Sequence, residues 1–201
     1  MKALQIAIIF VVLSLFAMGT PAQLAQTQQF PNVSRAVEAI GANYSIQIGL
    51  EVSDSNAQVN APIHLDMGAD AAAAFTSLVS QKTAYRWTID NSIYWVRPKV
   101  DALSEISIGK FTINDATRAE ASQAISTLPE VQNWLVSHRE TRRELINQST
   151  YRDHTRKSLS VSGVSIGALL NQLIITFGDQ QWSISHVIGP DDTNKYVSIY
   201  F

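Results

Sequence analysis

Residues 63–96 read IHLDMGADAAAAFTSLVSQKTAYRWTIDNSIYWV, and this run decides the fold. Ile63 and Leu65 alternate with polar residues, the pattern of a short strand buried on one side. Asp70 stands where a helix N-cap belongs, ahead of four alanines and of Phe75, Leu78 and Val79 at helical spacing. Trp87 and Ile89 then alternate in a strand, and Asp90-Asn91-Ser92 makes a tight turn into Ile93–Val96, closing a hairpin. The same order returns in residues 158–201. Leu159 and Val161 alternate, Ser165 precedes a helix through Leu169, Leu170, Leu173 and Ile174, and Trp182 and Ile184 take the places of Trp87 and Ile89. A fixed offset maintained over helix and strand argues for a duplicated unit.

Working outward, Ser34 is the expected cap of a first helix through Val37, Ile40 and Tyr44, and Ile46, Ile48, Leu50 and Val52 predict a strand. The first half therefore reads α-β-β-α-β-β. In the second half Ile106, Ile108, Phe111 and Ile113 predict one or two short strands. Asp115 is the expected cap of a helix through Ala121, Ala124 and Ile125, and Pro129 suits the first turn of another through Val131, Trp134 and Leu135. The fold class is α+β, with two related small units of helices on short mixed or antiparallel sheets, at 31–99 and 100–201. The second is more divergent and carries a charged insertion at 137–157.

The N-terminus sets the compartment. Lys2 is followed by an apolar run, Ala3 to Met18, broken only by Gln5 and Ser14, and then by the small residues around Ala22 and Ala25. That layout is a secretory signal peptide over residues 1–25, and the run is short for a membrane span. The mature protein is expected in the periplasm or outside the cell, with no span left after cleavage. With no cysteine, disulfides, Cys-zinc sites and lipoprotein anchoring drop out, which tilts the reading toward a bacterial envelope protein. A net charge of −2 gives no bulk attraction to nucleic acid.

Few residues invite chemistry. His64, His138, His154 and His186 lack metal-binding spacing and read as surface or loop histidines; no metal or cofactor is expected. Gly163-Val164-Ser165-Ile166-Gly167 matches the G-x-S-x-G nucleophile elbow, yet Ser165 coincides with Asp70 of the first copy, where a cap suffices. Trp87 and Trp182 read as core rather than as a sugar platform, and of Tyr94 and Trp95 one is expected to face solvent. Arg139, Arg142, Arg143, Arg152, Arg156 and Lys157 form the candidate surface for an acidic partner or an anionic glycan.

Ile48-Gly49-Leu50-Glu51-Val52, Ala74-Phe75 and Ala84-Tyr85-Arg86-Trp87 carry a resemblance. Residues from about Ser34 to Pro98 resemble the secretin and TonB short N-terminal (STN) domain. Residues 158–201 resemble it less closely, lacking the Gly-hydrophobic strand, whose place the 137–157 stretch fills. The resemblance implies a periplasmic docking or signalling module of two helices against short sheets, here without a following barrel. The function expected is a non-catalytic, exported interaction or scaffold module with an envelope protein as partner. The alternatives are a cell-wall or glycan binder and, behind both, a serine hydrolase using Ser165.

Overall fold

The computed structural model describes residues 27–53, 61–68, 70–142, 154–188 and 194–201. The class is α+β. Strand β1 (Thr27–Phe30) leads into helix α1 (Val33–Tyr44), then β2 (Ile48–Ser53), β3 (Ile63–Asp66), α2 (Ala71–Gln81), β4 (Tyr85–Asp90) and β5 (Ile93–Pro98). After a 3-10 turn at Leu103–Glu105 come β6 (Ser107–Ala116), α3 (Arg118–Ser126), α4 (Pro129–His138), β7 (Glu140–Arg142), β8 (Lys157–Ser165), α5 (Ile166–Phe177), β9 (Gln181–Ile188) and β10 (Lys195–Tyr200). No helix among the described residues is long and apolar enough to cross a membrane.

The main sheet has six strands in the order β4-β5-β2-β9-β10-β7. In each half an antiparallel hairpin, β4–β5 or β9–β10, is flanked on its second strand by a parallel strand, β2 or β7. Each half also has a two-stranded antiparallel ribbon, β1–β3 or β6–β8. The halves meet where β2 runs parallel to β9, from Ile48 opposite Gln181 to Ser53 opposite His186.

Apolar material lies on both faces of this sheet, so the central strand β2 is buried from Ile48 to Val52. Val33, Val37 and Ile40 of α1 and Phe75 and Leu78 of α2 close on Ile48, Leu50, Val52 and Val96. On the other face Leu169, Leu170, Leu173 and Ile174 of α5 and Trp134 of α4 close on Ile93, Trp95, Trp182, Ile184, Val197 and Ile199. The second core draws on both halves. Two glycines admit its largest rings: a Cβ on Gly49 would lie 2.3 Å from the Trp182 indole, and one on Gly167 would lie 1.6 Å from that of Trp95.

Local chemistry explains the ends. Asp70 and Ser165 cap α2 and α5 as expected, accepting from Ala73 N at 2.7 Å and Ala168 N at 3.2 Å. Asn91 and Ser92 both take positive φ, as a two-residue hairpin turn requires. Three expectations need correction, and one strand was not foreseen. Asn32, not Ser34, caps α1, because its side-chain oxygen reaches Arg35 N at 2.9 Å. Thr117 with Glu120 forms a reciprocal capping box on α3, leaving Asp115 in β6 with a φ of 46°. β6 is one ten-residue strand. The polar stretch before Pro31 holds β1, whose backbone pairs with β3 whatever its side chains are.

Candidate functional site

Four of the six basic residues, Arg139, Arg142, Arg156 and Lys157, lie among the described residues. Arg142 and Arg156 approach α3 from different segments: Arg142 Nη1 reaches Gln123 Oε1 at 3.4 Å, while Arg156 pairs with Asp115 at 3.1 Å and Glu120 at 3.3 Å. Lys157 begins β8 beside them and is exposed, and Arg139 is the left-handed C-cap of α4. Arg143 and Arg152 lie outside the described residues. The acids around Arg156 spend its charge locally, so the surface is mixed in sign where sequence order suggested a basic one.

Ser165 has φ −78° and ψ 162°, an ordinary extended conformation, whereas a nucleophile elbow strains its serine. Its hydroxyl oxygen is taken by the Ala168 amide, and Gly167, the last residue of the motif, makes room for Trp95. Trp182 is 1% exposed and donates its indole N–H to Asn171 Oδ1 at 2.7 Å, so it offers no platform. Trp87 and Tyr94 are half-buried and stack on Phe75 and on each other, with centroids 5.4 to 6.0 Å apart. Neither Tyr94 nor Trp95 is the solvent-facing member of the pair, because helices cover both faces of β5.

A charged row crosses the second face of the sheet, and no sequence motif announced it. Arg86 on β4 stands opposite Arg97 on β5, a like-charge pair that costs stability unless compensated. Glu105, in the turn after β5, compensates it by accepting from Arg97 Nε at 2.7 Å and from Arg86 Nη2. Burial pulls the Glu105 carboxyl upward, but the two guanidinium groups outweigh it and hold it below the usual carboxylate range. Thr88 Oγ1 and the ring of Trp95 fix the Arg97 guanidinium, the latter 4.2 Å away.

Next along the row is Glu51, which is fully buried. Its carboxyl accepts from Leu103 N at 2.7 Å, Ser104 N at 2.9 Å and His186 Nε2 at 2.9 Å. The other ring nitrogen of His186 lies 2.8 Å from Glu140 Oε2 on β7. The expectation of a surface histidine fails here: His186 is 8% exposed, beside Trp134, because it alternates with the core residues Trp182 and Ile184. Burial pulls the ring pKa down, but the hydrogen bonds and charges of Glu140 and Glu51 raise it to about 9. Both nitrogens are engaged, so the ring has no free nitrogen for a substrate. The arrangement suits holding strands together better than moving protons in a reaction. The clue in the sequence was Glu51 itself, a lone charge inside the apolar run Ile48–Val52.

No family model, curated protein or solved structure matches this chain.

Proposed function

We propose that this protein is a non-catalytic, exported interaction module of the bacterial cell envelope, made of two related units of the STN kind. The two halves pair their hairpins in the same way and share an order of strands and helices apart from a second helix, α4, before β7, which supports a common unit. The observation that carries the interaction reading is β8. It is a nine-residue strand whose only partner among the described residues is β6, and Ser158, Ser160 and Ser162 on its outer side are exposed. Leu159, Val161 and Val164 on its inner side are only half-buried. Natural sheets protect such edges with proline, charge or a covering element. Here Lys157 sits at one end, and no other strand among the described residues pairs with β8, leaving a strand to which a partner's extended segment can add.

A photocrosslinker at Ser160 tests this in envelope extract, with Thr76 on the exposed side of α2 as the control position. One discrete adduct from Ser160, none from Thr76, and loss of the adduct on Lys157→Glu are the expected results. Equal capture at both positions overturns the β8 assignment, and labelling of Ser165 by a fluorophosphonate overturns the non-catalytic one. Export is tested by intact mass of the secreted product, expected to begin at Gln23 or Gln26; a product retaining Met1 overturns it.

A further inference from the structure

We propose that His186 is a proton-operated clamp: as an imidazolium it bridges Glu51 on β2 and Glu140 on β7, fastening β7 to the sheet, and loss of its proton lets β7 go.

With both glutamates as acceptors, the geometry calls for the charged ring. Glu51 already accepts backbone N–H groups on both carboxyl oxygens, so the nitrogen facing Oε1 at 2.9 Å must donate. The other nitrogen faces a Glu140 oxygen at 2.8 Å and must donate as well. A neutral imidazole has one N–H and one lone pair, and whichever nitrogen lost its hydrogen would set that lone pair against a carboxyl oxygen. Within the row Arg86 and Arg97 are both committed to Glu105, and His186 is the member that bridges Glu51 and Glu140.

Other polar and titratable groups lie close by, Lys195 among them as the residue opposite Glu140 in register. Arg97 on β5 is next to Glu51 in register but is bonded to Glu105 and Thr88. From α4, His138 stacks on Trp134, which separates it from His186, and its Nδ1 is 2.9 Å from Trp134 O. Lys195 on β10 shares with His186, Ser53, Glu140, Val187 and Ile188 a recess of about 10 Å³. That volume holds about one water and gives the ring proton a way to solvent.

What the clamp holds is the weakest strand of the sheet. β7 is three residues long and pairs only with β10 among the described residues. Glu140 is its first residue, so the bond to His186 reaches across β10 from β9 and adds a tie that the short ladder lacks. With the ring pKa raised from 6.5 to about 9, the clamp is complete below about pH 6.5, weakens above it, and is lost as pH rises through about 9.

The test is hydrogen exchange followed by mass spectrometry from pH 6 to 10, corrected for intrinsic exchange, on the whole protein. In the wild type, opening of β7 should rise with pH up to about 9, by no more than about tenfold per pH unit, the limit for one proton, while β4 at the opposite edge stays protected. His186→Gln, which cannot donate to two carboxyls, should open β7 at every pH and remove the dependence. An equal loss at β4, or an unchanged pH dependence in His186→Gln, overturns the clamp. Independently of any variant, ¹⁵N spectra of the wild-type ring should show both nitrogens protonated at pH 7 and a midpoint near 9; a neutral tautomer at pH 7 also overturns it.

Discussion

The indole of Trp95 occupies the space that a side chain on residue 167 would need, with Cζ3 only 1.6 Å from where a Cβ would stand. The second glycine of the G-x-S-x-G match is thereby explained by packing between the two halves. Gly167→Ala forces a buried ring to move, and overpacking of this kind costs about 1–3 kcal/mol. Urea denaturation should show the loss, and Trp95→Leu in the Gly167→Ala background should recover part of it. An unchanged midpoint for Gly167→Ala would contradict this seat for Trp95.

Ser165 should behave as a helix cap. Ser165→Ala loses the bond to Ala168 N and about 0.5–2 kcal/mol of stability, whereas Ser165→Asp, the residue at the equivalent place in the first half, keeps it. Thermal melts distinguish the pair, and equal destabilisation by both substitutions contradicts the cap.

Asn171 is fully buried and serves two partners, accepting from Trp182 Nε1 and donating to Asp90 Oδ2 at 3.0 Å. Asn171→Leu leaves both without it in the interior, at a cost of about 1–3 kcal/mol. Because Asp90 belongs to the β4–β5 turn, indole N–H exchange at Trp182 and amide exchange at Asn91 should accelerate together.

Global stability should follow the His186 proton. Its folded pKa lies above the unfolded value, so the ring stabilises fully below about pH 6.5, and that contribution, at most about 3 kcal/mol, disappears as pH passes about 9. Unfolding free energies at pH 6.5 and 9.5 should therefore differ in the wild type and converge in His186→Gln. A difference that persists in the variant belongs to other groups.

Much of the scaffold is legible along the chain because its causes are local. Asp70 and Ser165 cap helices through contacts three residues away, and Pro129 starts α4 at its first position. The alternation of Trp182 and Ile184 with serines marks the buried side of β9. The charged row was not legible, since Glu51 and His186 are 135 residues apart and Glu140 and His186 are 46 apart. A histidine between Ser185 and Val187 reads as polar surface until the strands that enclose it are known. The caps at Asn32 and Thr117 were missed for a narrower reason: Ser34 and Asp115 are chemically as good, and only backbone geometry selects between such neighbours. Arg156, one of the candidate basic residues, pairs with Asp115 on β6 and Glu120 on α3, partners that spacing within 137–157 does not disclose.

The seam between β2 and β9 has a consequence for how the molecule comes into being. As the chain leaves the ribosome or a translocation channel from its N-terminus, β2 forms with an unclaimed edge. That edge waits until the segment around His186, 135 residues beyond Glu51, has emerged. So late a closing partner makes folding slow to complete and leaves the intermediate able to pair with the wrong strand. The nascent chain avoids that hazard only if something guards β2, or if β9 arrives quickly.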